Sequence, residues 1–171
     1  MRCSGTTRRP HRLRAFTLVE VLVVVSVIAI ASAIVVPIIG DRGQWGIQAA
    51  SRIVITDILY AQNEAIAHQK NRRIVFDRDN NRYSLTDELG TVLTVSWKGG
   101  SDAPNYIVEF SNDRRFAGVT ITDVQFGDDQ TVIFDALGTP DTGGFVELTA
   151  GQTVYRVSVA PITGRVTVQE Q

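Results

Sequence analysis

Arg14-Ala15-Phe16-Thr17-Leu18-Val19-Glu20 opens a stretch whose continuation, FTLVEVLVVVSVIAIASAIVVPII over 16–39, holds a single charged residue, Glu20. As a helix, these 24 residues would extend about 36 Å at 1.5 Å per residue, against a hydrocarbon core of about 30 Å. The segment is therefore long enough to span a bilayer, where a helix is the single-segment solution that satisfies its own backbone. Before it, residues 1–15 carry Arg2, Arg8, Arg9, Arg12 and Arg14 and no acid. These arginines predict a cytoplasmic N-terminus, with everything after Ile39 sent across the membrane.

Composition outside this segment excludes much. The chain has 171 residues, 17 Lys+Arg against 18 Asp+Glu and a formal charge of −1, so without the five leader arginines the remainder stands at −6. That balance argues against a nucleic-acid binder. A single cysteine, Cys3, rules out an internal disulfide framework, and two histidines, His11 and His68, cannot build a His-rich metal cluster.

Three readings of the N-terminus stand side by side. A cleavable secretory signal has weak A-x-A sites at Ala29-Ile30-Ala31 and Ala31-Ser32-Ala33. An uncut anchor is the second. Neither accounts for Glu20, since a carboxylate within an apolar span costs on the order of 2–3 kcal/mol to insert near a helix centre and less near its end.

The third is a resemblance. Arg14 to Glu20 resembles the type IV pilin and pseudopilin signature, in which a prepilin peptidase cuts before the phenylalanine and methylates the new amine. The resemblance implies cleavage between Ala15 and Phe16, N-methylation of Phe16, and a register-setting role for Glu20, the fifth residue of the processed chain. Pro37 falls at the family's recurrent proline, where it loosens the membrane helix. Ala15 departs from the pattern, which has glycine there. Pairing of Glu20 with the Phe16 amine of a neighbouring subunit would remove two lone charges from lipid together.

Gly40-Asp41-Arg42-Gly43 breaks the apolar run, and an exported head is expected over 40–171. Residues 44–70 read as an amphipathic helix with Ile47, Ala50, Val54, Ile58, Ala61 and Ala65 at three- and four-residue spacing. Ile55, Leu59 and Ile66 are expected beside that stripe, and Arg52, Asp57, Asn63 and Glu64 away from it. From 72 to 169 the period becomes two. The runs 72–77 and 82–86 form a hairpin around Arg78-Asp79-Asn80-Asn81, followed by strands at 91–97, 105–110, 119–126, 131–136, 145–150, 153–160 and 164–169. The expected fold is α+β: a long N-terminal helix, membrane-spanning then amphipathic, packed on an antiparallel β-sandwich head. No internal repeat stands out.

The layout also resembles minor pseudopilins of the GspH/FimT type, through LYAQNEAIAHQKNRRIVFD (59–77), IFDALGTPDTGGFVEL (133–148) and Thr163-Gly164-Arg165-Val166. That resemblance implies a type II secretion pseudopilus subunit, held in the inner membrane by one span with its head in the periplasm. Its partners would be the prepilin peptidase, other pseudopilins and exported cargo. A minor pilin of a type IV pilus or DNA-uptake machine, and a secreted binding domain, are the alternatives.

Other chemistry is poorly represented. Asp77, Asp79, Asn81, Tyr83 and Glu88 have calcium-loop spacing, but position six is Arg82 where the loop's turn needs glycine. Asp128, Asp129, Asp135 and Asp141 each lie beside a turn, where aspartate is ordinary. His68 has no nucleophile beside it, and Gly138–Gly144 lacks a phosphate loop's lysine and following helix. Arg156 and Arg165 lie near a C-terminal end that closes as Gln169-Glu170-Gln171 and offer few phosphate contacts, while Arg72, Arg73, Arg82, Arg114 and Arg115 read as solvated faces. No catalytic set, metal site or cofactor site is expected.

Overall fold

A computed structural model describes the backbone of residues 16–40, 42–95 and 105–171, and side chains over 16–32, 45–95 and 105–171. The chain divides into two units, 1–40 and 41–171.

The first unit is helix α1, Leu18–Gly40. Thr17 starts it: its Oγ1 accepts from Glu20 N–H (3.2 Å), and its carbonyl accepts from Val21 N–H (3.2 Å). From 18 to 32 its side chains are exposed all round and apolar apart from Glu20, Ser26 and Ser32, a pattern that calls for lipid or protein cover. Among the described residues, no helix is long and apolar enough to cross a membrane. The last part of the 16–39 stretch, with the side chain of Pro37, lies outside the described side chains, as do Ala15 and the leader.

The second unit is the head. Helix α2, Arg42–His68, ends in a left-handed Gln69 (φ 51°). Lys70 N–H returns to the Ala65 carbonyl and Gln69 N–H to that of Ile66, closing the helix as a glycine cap commonly does. Eight strands follow: β1 Arg72–Asp77, β2 Arg82–Asp87, β3 Ile107–Glu109, β4 Thr120–Phe126, β5 Thr131–Phe134, β6 Gly144–Ala150, β7 Thr153–Val159 and β8 Val166–Glu170. They form two antiparallel sheets, ordered β3-β2-β1-β5 and β4-β6-β7-β8.

Six α2 residues at helical spacing, Ile47, Ala50, Val54, Ile58, Ala61 and Ala65, are buried as the sequence predicts. The helix touches β1 and β5 of the first sheet and β6, β7 and β8 of the second. Alternate strand residues complete the core, among them Ile74, Leu85, Val132 and Phe134 on one sheet and Val146, Leu148 and Val157 on the other. Phe76 of β1 stacks on Phe126 of β4 at 5.7 Å, joining the two sheets.

Several expectations need correction. Residues 91–95 of the expected 91–97 strand make only isolated bridges, Thr86 to Val92 and Thr94 to Asn105, and 96–97 lie outside the described residues. Leu93 and Tyr106 both bond to Leu85 of β2, so two segments share one edge and only β3 extends into a ladder there. Leu59 and Ile66, expected beside the stripe, are exposed, so the covered face of α2 is narrower than its apolar residues mark. Asp57, expected to face away, is buried, and so is Arg72, expected on a solvated face.

Asn81 closes the β1–β2 hairpin and does more than turn the chain. In the left-handed region (φ 52°), it donates from Nδ2 to the Val119 carbonyl (2.8 Å) and accepts on Oδ1 from Ile121 N–H (2.9 Å). One amide thereby ties the first sheet's turn to the start of β4. Asn81→Ala loses both bonds and strains the turn; a loss of about 2–3 kcal/mol is expected by chemical denaturation. Asn81→Asp, which keeps only the acceptor, should fall between the two.

Candidate functional site

Thr17-Leu18-Val19-Glu20 sets the geometry of the N-terminal segment. Thr17 is the N-cap and Glu20 occupies the third helical position, the glutamate place of a capping box. A carboxylate in the first turn also faces the positive end of the helix dipole. Phe16 and Glu20 stand one turn apart, and with Val21, Val24 and Val25 they line a shallow concavity of about 250 Å³. The α-nitrogen of Phe16 and the Glu20 carboxylate therefore belong to one end of one helix. Ala15 lies outside the described residues, and so does the side chain of Pro37.

The head's polar interior centres on Asp57, which is 3% exposed. Its carboxylate accepts from the hydroxyls of Tyr83 (2.6 Å) and Tyr106 (2.5 Å), one on β2 and one just before β3. Burial, reinforced by the neighbouring carboxylate, raises both phenols well above their usual range. Both therefore remain neutral donors across physiological pH. The spacing carried this signal: Asp57 is three residues after Val54 and four before Ala61, squarely on the buried stripe.

At the β1–β2 hairpin, Asp77 accepts from the Asn80 amide (2.8 Å) and from Arg82 Nε (3.0 Å). These bonds, Asn80's first, hold its carboxyl below the ordinary value. Tyr83 turns inward to Asp57, so the calcium-spaced residues do not converge. Among the described residues, no three His, Cys, Asp or Glu side chains are placed to hold a metal. His68 pairs with Glu64 one turn earlier (3.1 Å) on the surface, and Arg156 pairs with Glu147 (2.5 Å) while covering the Phe145 ring.

Segments far apart in sequence meet near the end of α2. Gln62 Nε2 donates to the Gly138 carbonyl (2.7 Å), and a Cβ at Gly164 would fall 2.6 Å from the same nitrogen. A Cβ at Gly138 would also press on Ile66 Cδ1 at 2.7 Å. The three stretches that resemble GspH/FimT proteins are thus one packing unit in space, where glycine is required by close approach and by positive φ.

Residues 11–36 match the family model of the prokaryotic N-terminal methylation motif. The type IV minor pilin FimU of Pseudomonas aeruginosa superposes with TM-score 0.50 and 20% identity, over 75% of this chain and 90% of that one. The chain shares the fold of that minor pilin. The minor pseudopilin EpsH of the Vibrio cholerae type 2 secretion system is also similar, with TM-score 0.49 and 13% identity over 71% of this chain and 94% of that one. No curated protein sequence matches the chain.

Proposed function

We propose that this chain is a minor pseudopilin: a non-enzymatic assembly subunit that prepilin peptidase cleaves between Ala15 and Phe16 and methylates on Phe16. The observation that carries the reading is the methylation motif at 11–36, running into a Thr17-capped apolar helix that is joined to a minor-pilin head. In this reading α1 lies in the inner membrane and packs among the helices of other pilin-type subunits. Glu20 meets the Phe16 amine of a neighbour, Pro37 loosens the span, and the head sits in the periplasm. The system served is type II secretion, with exported proteins as the cargo.

A second reading, a minor pilin of a type IV pilus or DNA-uptake machine, is favoured by the likeness to FimU. The exoproteome of a deletion strain separates the two. Exported enzymes accumulating in the periplasm support secretion; an unchanged exoproteome with lost surface motility or transformation supports the pilus.

Processing has its own test. Intact-mass analysis of membrane-extracted protein is expected to give N-methylated Phe16 as the first residue. A mature chain beginning at Ile34 would overturn the reading in favour of an ordinary secretory signal.

A further inference from the structure

Two turns in the head are built alike, a repeat too short to stand out in the sequence. Asp87-Glu88-Leu89-Gly90-Thr91 leaves β2, and Asp135-Ala136-Leu137-Gly138-Thr139 follows β5. In each, the aspartate Oδ1 accepts from the N–H two residues on (2.9 Å) and four residues on (2.8 Å). In each, the aspartate N–H donates to the threonine carbonyl at 2.9 Å, and the glycine has positive φ, 84° and 79°. The leucine rides on the outside both times, 85% exposed at Leu89 and 83% at Leu137.

β2 and β5 flank β1 and run antiparallel to it, so the two turns lie at the same end of the first sheet. Two strand spacings separate them, about 10 Å. Between them stands Arg72, the register partner of both Asp87 and Phe134. It is 7% exposed; Nη1 donates to the Asn71 carbonyl (3.2 Å), and its buried Nε has no partner. The carboxylates nearest in register, Asp87 and Asp135, are engaged by their own turns, and among the described residues Arg72 makes no ion pair. Exposed Lys70 and half-buried Arg73 add positive charge, against Glu88 on the first turn.

A desolvated guanidinium with spare donors is costly to leave without an anion. Two rigid apolar tips on either side give that anion a shape. We propose that this end of the head docks an acidic segment of a neighbouring subunit, its carboxylate on Arg72 and its apolar side chains against Leu89 and Leu137. The inference rests on the assembly-subunit reading above. A subunit fits better than varied cargo, because both turns are locked by their own hydrogen bonds and so are pre-organised for one fixed partner, whereas promiscuous surfaces repack.

The test uses the full chain, tagged and expressed in its own host, with photo-crosslinking p-benzoylphenylalanine at Leu89, at Leu137, or at Thr122 as a control on the second sheet. Light-dependent adducts from 89 and 137 with the same pilin-type subunit are expected, and none from 122. In a background carrying Arg72→Gln, the adduct yield should fall about tenfold, while Arg72→Lys should retain most of it. Leu89→Ser with Leu137→Ser, exposed changes that spare the fold, should lower co-isolation of that same subunit.

Adducts confined to an exported protein would overturn the choice of partner. Absence of adducts at both leucines, while the protein still co-isolates with pilin-type subunits, would overturn the site. Failure of the unaltered protein to co-isolate with any such subunit would defeat the assembly reading itself and the inference with it.

Discussion

Replacing Asp57 with alanine is expected to cost about 3–5 kcal/mol, a large part of a small domain's stability. The change removes a buried carboxylate that accepts from two hydroxyls, Tyr83 at 2.6 Å and Tyr106 at 2.5 Å. Each buried hydroxyl left unpaired costs roughly 1–3 kcal/mol, and the cavity adds to that. Asp57→Asn restores an acceptor but not the charge, and should recover part of the loss. Urea denaturation followed by tyrosine fluorescence measures all three proteins. An alanine variant within about 0.5 kcal/mol of the original would show that the tyrosines find other partners.

The same cluster gives a pH dependence with a definite sign. Both phenols have folded-state pKa values raised above the ordinary 10.0. The stability they contribute is therefore fully present below about pH 10 and is lost as pH rises above it, because the unfolded chain releases those protons first. In an ultraviolet titration, Tyr83 and Tyr106 should ionise only with unfolding, and the step should disappear in Tyr83→Phe combined with Tyr106→Phe.

Glu20→Ala carries the second large expectation: unchanged processing at Phe16 and loss of at least about nine-tenths of co-isolation with other pilin-type subunits. On the proposed assembly, a neighbour's Phe16 amine in lipid without its carboxylate would be an unpaired charge, worth on the order of 2–3 kcal/mol even by the mildest scales, which is more than a tenfold change in an equilibrium. Glu20 also stands at the capping position of α1, so a purely structural role has to be separated from pairing. Glu20→Gln does this, since glutamine also serves a capping box. If Gln restores assembly, the carboxylate's charge is not what matters, and the pairing idea fails.

The sequence showed the main architecture because its strongest signals are periodic. The six-residue stripe of α2 and the hairpin expected at 72–77 and 82–86 lie where the spacing puts them, the second strand running one residue further. It failed where chemistry was read by residue type instead of by position. Asp57 was assigned to solvent for being charged, although its place between Val54 and Ala61 puts it on the buried stripe. Leu59 and Ile66 are apolar and stand beside the stripe, yet they are exposed. The 91–97 run has good strand composition, but composition cannot reveal that residues around Tyr106 compete for the same edge of β2. The paired D-x-L-G-T turns were legible as letters; only the strand order shows that they share one end of a sheet.

Helix α2 lies against strands of both sheets along its length, from Ile47 to Ala65. Tension entering the head at Arg42 would thus be borne in shear, by many side-chain contacts at once, rather than peeled from one edge in succession. A domain gripped that way resists mechanical extraction through its unfolding rate more than through its equilibrium stability. A head pulled on through the chain that enters that helix would draw on all of those contacts together.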